Sequence, residues 1–513
     1  MNSQLTTDLQ RAQGERDSLM RLLPGITFLL YLLVAAYAMI RHEPWGDEIH
    51  SWNIAKGSAG YLDVIRNSRY EGHPPTWYTI MWVISKFTHN FAFVQAAHLV
   101  IASTTVFIIL FYAPLPLLSR LLIPFGYYFA FEFAVLSRNY AIGVLVAFCI
   151  CLIIRRAFPY KMACYYVLLL LLSNGHLFGL LLAGCFHLYF LLWDYELHKA
   201  LKRTALHLLM GALFLLPALY FIFPPSQGAL SVNFWMERWD ISNVIITAQS
   251  PVRSFVPIPV WWDEHFWNTE FLMEWQSKYR WLKYFTLLLS LGIITAAFFI
   301  LRKNKKSAVL FFSNLLATAF ISIVVFPLGC ARYAGLIYIG FLAAWWLYCY
   351  EEKPARLHQW IVNSLLICQV IAAAIAIEKD RDHPFSNFNK VGQLVGKVPA
   401  NEKVVSDYWA LNAIAAFMDK PFYCMDLKKE QYFLLWDSDM ARLTKTSNRY
   451  CEGADYLAAQ GVKQFWMVSS GSPADLNKVD ARFFKDFKVT LRDKIEGAIE
   501  KGGNVYLYYV GGH

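Results

Sequence analysis

The sequence predicts a polytopic α-helical membrane protein of about 11 transmembrane helices with a small C-terminal extracytoplasmic α/β domain. Three observations predict this. Of the 513 residues, 57% are hydrophobic and only 16% charged, whereas soluble chains are about half apolar and about a quarter charged. Apolar runs capable of spanning recur as far as residue 378. The basic residues between those runs all fall on one side of a single topology.

The runs lie near 22–40, 91–112, 114–133, 139–154, 160–172, 176–193, 205–223, 281–301, 307–327, 333–350 and 358–378. The first follows a polar stretch and has spanning length, so it reads as a retained anchor rather than a cleaved signal. The positive-inside rule orients the set. Arg11, Arg16 and Arg21 lead the first run. Arg120, then Arg155, Arg156 and Lys161, then Lys199, Lys202 and Arg203 mark later connectors. Arg302, Lys303, Lys305 and Lys306, then Lys353 and Arg356, complete the pattern. All are cytoplasmic if the N-terminus is cytoplasmic and eleven runs cross. Residues 76–88 are apolar but shorter than the roughly 20 needed to span. A crossing there would flip every later loop, so this segment reads as re-entrant or interface-lying. The odd count puts the C-terminus outside, with a bacterial inner membrane as the expected setting.

These connectors account for the net charge of +10. Nucleic acid is excluded as a partner because no basic stripe or RNA-type motif accompanies that charge. The nine Cys include no CxxC pair and no zinc spacing, and read as buried structural thiols.

The division expected is a transmembrane catalytic domain, 1–378, with outer loops 41–90 and 225–280, and an extracytoplasmic domain, 379–513. The latter alternates β-like runs at 403–406, 464–468 and 505–510 with amphipathic stretches at 408–418 and 453–460. It reads as a lid or scaffold, since no catalytic motif stands out in it.

Unusual polar residues gather at the outer ends of the runs. Asp47 and Glu48, in Trp45-Gly46-Asp47-Glu48-Ile49-His50, follow the first run. Either carboxylate could act as general base, with a pKa raised by partial desolvation. The pair could equally mark only the water boundary, or join His50 or His73 around a metal, although no motif supports a divalent ion. Arg138 and Arg332 each open a later run on the side where cations are disfavoured, and an Arg fork suits a phosphate. His73 precedes the rigid Pro74-Pro75 break. Tyr140 and His176 lie at the starts of two runs, 139–154 and 176–193. The loop 225–280 holds Trp235, Trp239, Trp261, Trp262, Trp267 and Trp275, which could stack on sugars or anchor at headgroups. Within it Asp263, Glu264 and His265 form a rival acidic cluster.

Together these pieces resemble the GT-C superfamily of membrane glycosyltransferases, on the branch of protein O-mannosyltransferases and the lipid A aminoarabinose transferase. Asp47-Glu48, Gly72-His73-Pro74-Pro75, Ser137-Arg138-Asn139-Tyr140 and a C-terminal outer domain carry the resemblance, mainly over residues 22–160. It implies inverting-type transfer of a sugar from a polyprenyl-phosphate-linked donor to a glycan, lipid or protein acceptor on the outer face. Asp47 matches the catalytic base, with Glu48 supporting. Arg138, Arg332 and His73 would hold the donor phosphate. Tyr140, His176, Trp261, Trp262, Asp263, Glu264 and His265 would contact substrate. No cofactor is implied. The alternative from a different class is a transporter or flippase for a lipid-linked sugar, and a structural role in an envelope assembly is a third. No internal repeat of the transporter kind is evident.

Overall fold

In the computed structural model the described backbone covers residues 2–230, 241–325, 329–443 and 445–512, with side chains for 21–230, 242–325, 329–443 and 445–511. Ten of the eleven apolar runs fold as single helices, beginning with α1 (Asn2–Arg41). Several present apolar faces outward, for example Leu29, Leu33 and Ile40 on α1 and Leu206, Leu209 and Leu213 on Leu201–Ile222. Water does not tolerate apolar surface on this scale, and lipid does. The chain is an integral membrane protein.

The run at 114–133 departs from expectation. It breaks into Leu117–Leu122, a 3₁₀ turn at Ile123–Phe125 and a π turn at Tyr128–Glu132. Pro124 lacks the N–H that would continue the ladder, and Gly126 follows in extended conformation. Such irregular backbone is tolerated at depth only when protein surrounds it. Tyr128, Phe129, Phe131 and Glu132 are accordingly buried.

Helix Ala331–Cys349 is buried on every side, including Trp345 and Trp346, so it forms the centre of the bundle. It packs against Tyr140–Ile154, Lys305–Val324 and Ile241–Phe255. The last of these lies inside the stretch expected to be an outer loop. Its Gln249, Ser250, Arg253 and Ser254 hide it from a hydropathy reading, yet Val252 and Phe255 enter the core. The stretch 41–90 is likewise helical: α2 (Gly46–Gly57), α3 (Tyr61–Tyr70) and α4 (Thr76–Ser85). At 1.5 Å per residue α4 is about 15 Å long, half a hydrocarbon core. Trp77, Tyr78 and Met81 bury one of its faces. Among the cysteines, Cys164 is exposed rather than buried.

The tail folds as a six-stranded mixed sheet in the order β3-β2-β1-β4-β6-β5. The strands are β1 (Val404–Ser406), β2 (Phe422–Cys424), β3 (Lys429–Gln431), β4 (Gln464–Ser469), β5 (Phe487–Ile495) and β6 (Val505–Gly512). β1 runs parallel to both β2 and β4. Helix Tyr408–Met418 follows β1 and seats the domain on α2. Asn53 Nδ2 donates to the Asn412 carbonyl at 2.9 Å, and Lys56 Nζ to Asp419 at 2.7 Å and the Ala415 carbonyl at 3.2 Å. Ile49 of α2 belongs to the tail's own apolar cluster with Phe388, Leu411 and Ile414.

Candidate active site

The site is built on α2. Asp47 and Glu48 occupy its first turn, where carboxylates favour the positive end of the helix. Neighbours on a helix point about 100° apart, and here they separate completely. Glu48 turns inward and is fully buried. Its carboxylate accepts from the Trp45 backbone N–H at 3.0 Å and the Ser137 N–H at 2.5 Å, and meets His42 Nε2 at 3.1 Å. The other ring nitrogen of His42 meets Asp380 at 3.1 Å. Burial by itself would lower His42, but Asp380 and Glu48 on either side lift it to about 10. A protonated imidazole between two carboxylates thus ties α1, α2 and helix Arg356–Asp382 together.

Asp47 turns outward, toward two guanidiniums. Its Oδ2 lies 3.4 Å from Arg332 Nη1 and 3.6 Å from Arg138 Nη2. Desolvation pushes Asp47 up, and Arg138 and Arg332 more than reverse it, so the carboxylate sits below its usual range. The raised value expected from partial desolvation is corrected by these two cations.

The segment Ser137-Arg138-Asn139 is fastened residue by residue. Ser137 donates to Glu48, Arg138 to Ser51 Oγ at 2.8 Å and the Asp47 carbonyl at 2.5 Å, and Asn139 Nδ2 to the Gly175 carbonyl at 2.8 Å. Arg332 occupies the first turn of Ala331–Cys349, an unfavourable end for a cation. Four rings compensate: Trp45, Tyr333, Trp267 and Tyr140 have centroids 5.1, 5.5, 5.6 and 6.0 Å from its guanidinium carbon. Among the described residues, Nε of Arg138 and Nε of Arg332 have no hydrogen-bond acceptor.

Two cavities meet this centre. The first is small, ≈ 50 Å³, and is lined by His73, Tyr140, His176, Leu177, Phe178 and Tyr333 among others. Tyr140, Leu177 and Tyr333 each lie in the first turn of a different membrane helix, so three positive helix ends converge there. His73 enters through Gly72, whose φ of +64° is the left-handed turn that ends α3. Burial first, then the nearby Arg138, pull His73 down to about 3, leaving a neutral ring with an unpartnered Nδ1.

The second cavity, ≈ 300 Å³, opens between α2 and the tail domain. Asp47 and His50, one helical turn apart, form its floor. Tyr408, Trp409, Trp436, Ser470 and Glu500 of the tail form its walls. His50 is bound to Glu71 at 2.7 Å; burial would lower it, but Glu71 keeps it raised.

Other residues from the sequence lie elsewhere. Trp261 and Trp262 are half-exposed in a cluster with Trp275, where the Trp262 and Trp275 rings stack at 5.2 Å. Asp263 caps the His265 N–H, Glu264 lies 3.7 Å from His265, and His265 Nδ1 reaches the Ile499 carbonyl at 2.9 Å. None of these lines either cavity. Trp235 and Trp239 lie outside the described residues. From that loop it is Trp267 that approaches the centre, donating through Nε1 to buried Glu132 at 3.2 Å. Trp409, Trp436, Glu500 and Glu132 carried no motif. Among the described residues no three His, Cys, Asp or Glu side chains group as a metal-binding set.

The crystal structure of ArnT from Cupriavidus metallidurans bound to undecaprenyl phosphate superposes over 94% of this chain and 97% of that one, with a TM-score of 0.51 at 12% identity. The fold is ArnT-like. No protein-family model matches the chain, and no curated protein sequence matches it. The ArnT-like layout takes in the C-terminal domain as well as the helical bundle.

Proposed function

We propose that the protein transfers a sugar from a polyprenyl-phosphate-linked donor to an acceptor on the outer face of the membrane. One observation carries this reading: a single carboxylate, Asp47, stands between two guanidiniums, Arg138 and Arg332, at the floor of the larger cavity. Arg138, Arg332 and three helix N-termini supply the field that a phosphate leaving group needs, in surroundings drier than water. The apolar wall of the smaller cavity, including Ile222 and Leu230, suits a lipid carrier. The ArnT structure holds such a carrier phosphate.

In the transfer, the acceptor hydroxyl or amine attacks the anomeric carbon of the donor. Its proton goes to Asp47. The bond from the anomeric carbon to the phosphate oxygen breaks, and the electron pair leaves with the polyprenyl phosphate held by the arginines. Phosphate binding shares the cations that hold Asp47 low, so the donor itself makes Asp47 a better base. Glu48 holds α2 in place through Ser137 and His42. No metal is required for this balance.

The test is Asp47→Asn in proteoliposomes supplied with polyprenyl-phosphate sugars and envelope extract. Transfer falls by about 10²–10⁴-fold, as for loss of a general base, while undecaprenyl phosphate still binds. Wild-type rates in the variant would sink the assignment.

A further inference from the structure

We propose that the larger cavity is the acceptor site and that it takes a neutral carbohydrate, whose hydroxyl is glycosylated, rather than a phosphate-bearing lipid or a peptide. This rests on the transferase reading above and adds the acceptor class.

Four observations carry it. The first is charge. Among the described residues, the cavity lining includes two carboxylates, Asp47 and Glu500, and no Lys or Arg. Glu500 lies within electrostatic reach of Asp47. The basic group in the lining, His50, is already paired with Glu71 at 2.7 Å, so an anionic acceptor would meet two carboxylates and no unpaired side-chain cation, and like charges repel there. Arg138 and Arg332 flank Asp47 but are not part of this lining, and in the transferase reading the donor phosphate takes them.

The second is the wall. Trp409 is 41% exposed, and its ring lies 6.2 Å from that of Trp436 at 59°. Two flat faces at an angle, interspersed with Asn412, Ser470 and Glu500, offer ring stacking together with hydrogen-bonding groups. Sugar rings require both at once.

The third is position. The cavity sits at the carboxyl ends of β1 and β4, where Ser406 leads to Tyr408 and Ser469 to Ser470. Chain connections leave β1 toward β2 on one side, while β4 lies on the other. This is the switch point at which open α/β sheets bind small polar ligands. A wall built from the extramembrane domain admits a soluble head rather than an acyl chain.

The fourth is size. At ≈ 300 Å³ the space is at the small end of ligand pockets and suits a sugar ring rather than a folded polypeptide. In the transfer, the hydroxyl oxygen of the bound ring bonds to the donor's anomeric carbon, its proton passes to Asp47, and the polyprenyl phosphate departs with the electron pair.

The experiment uses the full-length protein in nanodiscs on an array of neutral, sialylated, sulfated and phosphorylated glycans, with undecaprenyl phosphate binding measured on the same sample. The expected result is binding confined to neutral glycans. For a soluble neutral hit, Trp409→Ala and Trp436→Ala each weaken binding by about tenfold or more, with undecaprenyl phosphate affinity unchanged. Binding to no glycan, a preference for phosphorylated or acidic ones, or full neutral-glycan affinity in both Trp variants overturns the proposal. Two variants guard against one that fails to fold, and retained undecaprenyl phosphate binding certifies each. If wild-type protein binds neutral glycans but not undecaprenyl phosphate, the donor reading fails and the carbohydrate site stands.

Discussion

Asp47 and Glu48 are adjacent and chemically alike, yet one touches a cavity and the other touches only protein. That difference makes separate predictions. Asp47 is held low by Arg138 and Arg332, so its charged form survives below the usual carboxylate range and activity is lost only as pH falls through that lowered value. Arg332→Ala removes one cation. The acid limb of kcat/KM then moves to higher pH, and donor affinity drops by about 10–100-fold, the value of a charged hydrogen-bonding partner; an unmoved acid limb would detach Arg332 from Asp47. His42 carries the opposite sign. Its folded value, about 10, lies above the ordinary 6.5. Its contribution to stability is complete below about 6.5 and is lost as pH rises through about 10. The melting temperature of the wild type therefore falls more between pH 7 and 10 than that of His42→Gln, and equal falls would remove His42 from the account. Glu48→Gln strips one carboxylate from a buried charged set, at a cost of about 3–5 kcal/mol.

The element that joins the two halves is α2, twelve residues long with eight buried. One face carries Asp47 and His50 to the cavity. Another sends Glu48 toward the bundle. A third sends Ile49, Asn53 and Lys56 into the tail domain. Ile49→Ala leaves a void in the tail's core and costs about 2–4 kcal/mol. The tail then becomes easier to release by limited proteolysis, with little change in the melting of the bundle. Unaltered cleavage kinetics would show that the dock does not depend on Ile49. The irregular segment Ile123–Glu132 shows the limits of a hydropathy reading. Averaging over 114–133 hides Pro124 and Gly126, the residues that break the helix. β5 was readable in principle, because Phe487, Val489 and Leu491 alternate with Lys488, Thr490 and Arg492. The exposed edge strand β3, Lys429–Gln431, has no apolar signal at all.

At the scale of the molecule the candidate site is shared: the N-terminal part supplies Asp47, Arg138 and Arg332, and the tail supplies the aromatic walls Trp409 and Trp436. The transferase reading needs the tail on the outer side, which a labelling map checks. In a background without the nine native cysteines, a single Cys at Trp409 or Ser470 reacts with a membrane-impermeant maleimide in intact cells. One at Lys202 or Lys303 reacts only after permeabilisation. The reverse pattern would place Asp47 in the cytoplasm and return nucleotide sugars as donors.

The sequence by itself determined the membrane class, ten of the eleven apolar helices, the β-like runs at 403–406, 464–468 and 505–510 and the short apolar segment at 76–88. Hydropathy and periodicity are local, and a window of about twenty residues contains them. It also singled out Asp47, Arg138, His73, His176 and Arg332 as polar residues out of place at span ends. Only the tertiary structure decided which of two neighbouring carboxylates faces the cavity, that Trp267 rather than Trp261 or Trp262 reaches the centre, and that Trp409, Trp436 and Glu500 close it. Those facts depend on contacts between residues far apart in the chain: Ser137 with Glu48, Asp380 with His42, and the tail with α2. No local pattern encodes which distant groups will satisfy a buried carboxylate, because that choice is made by packing.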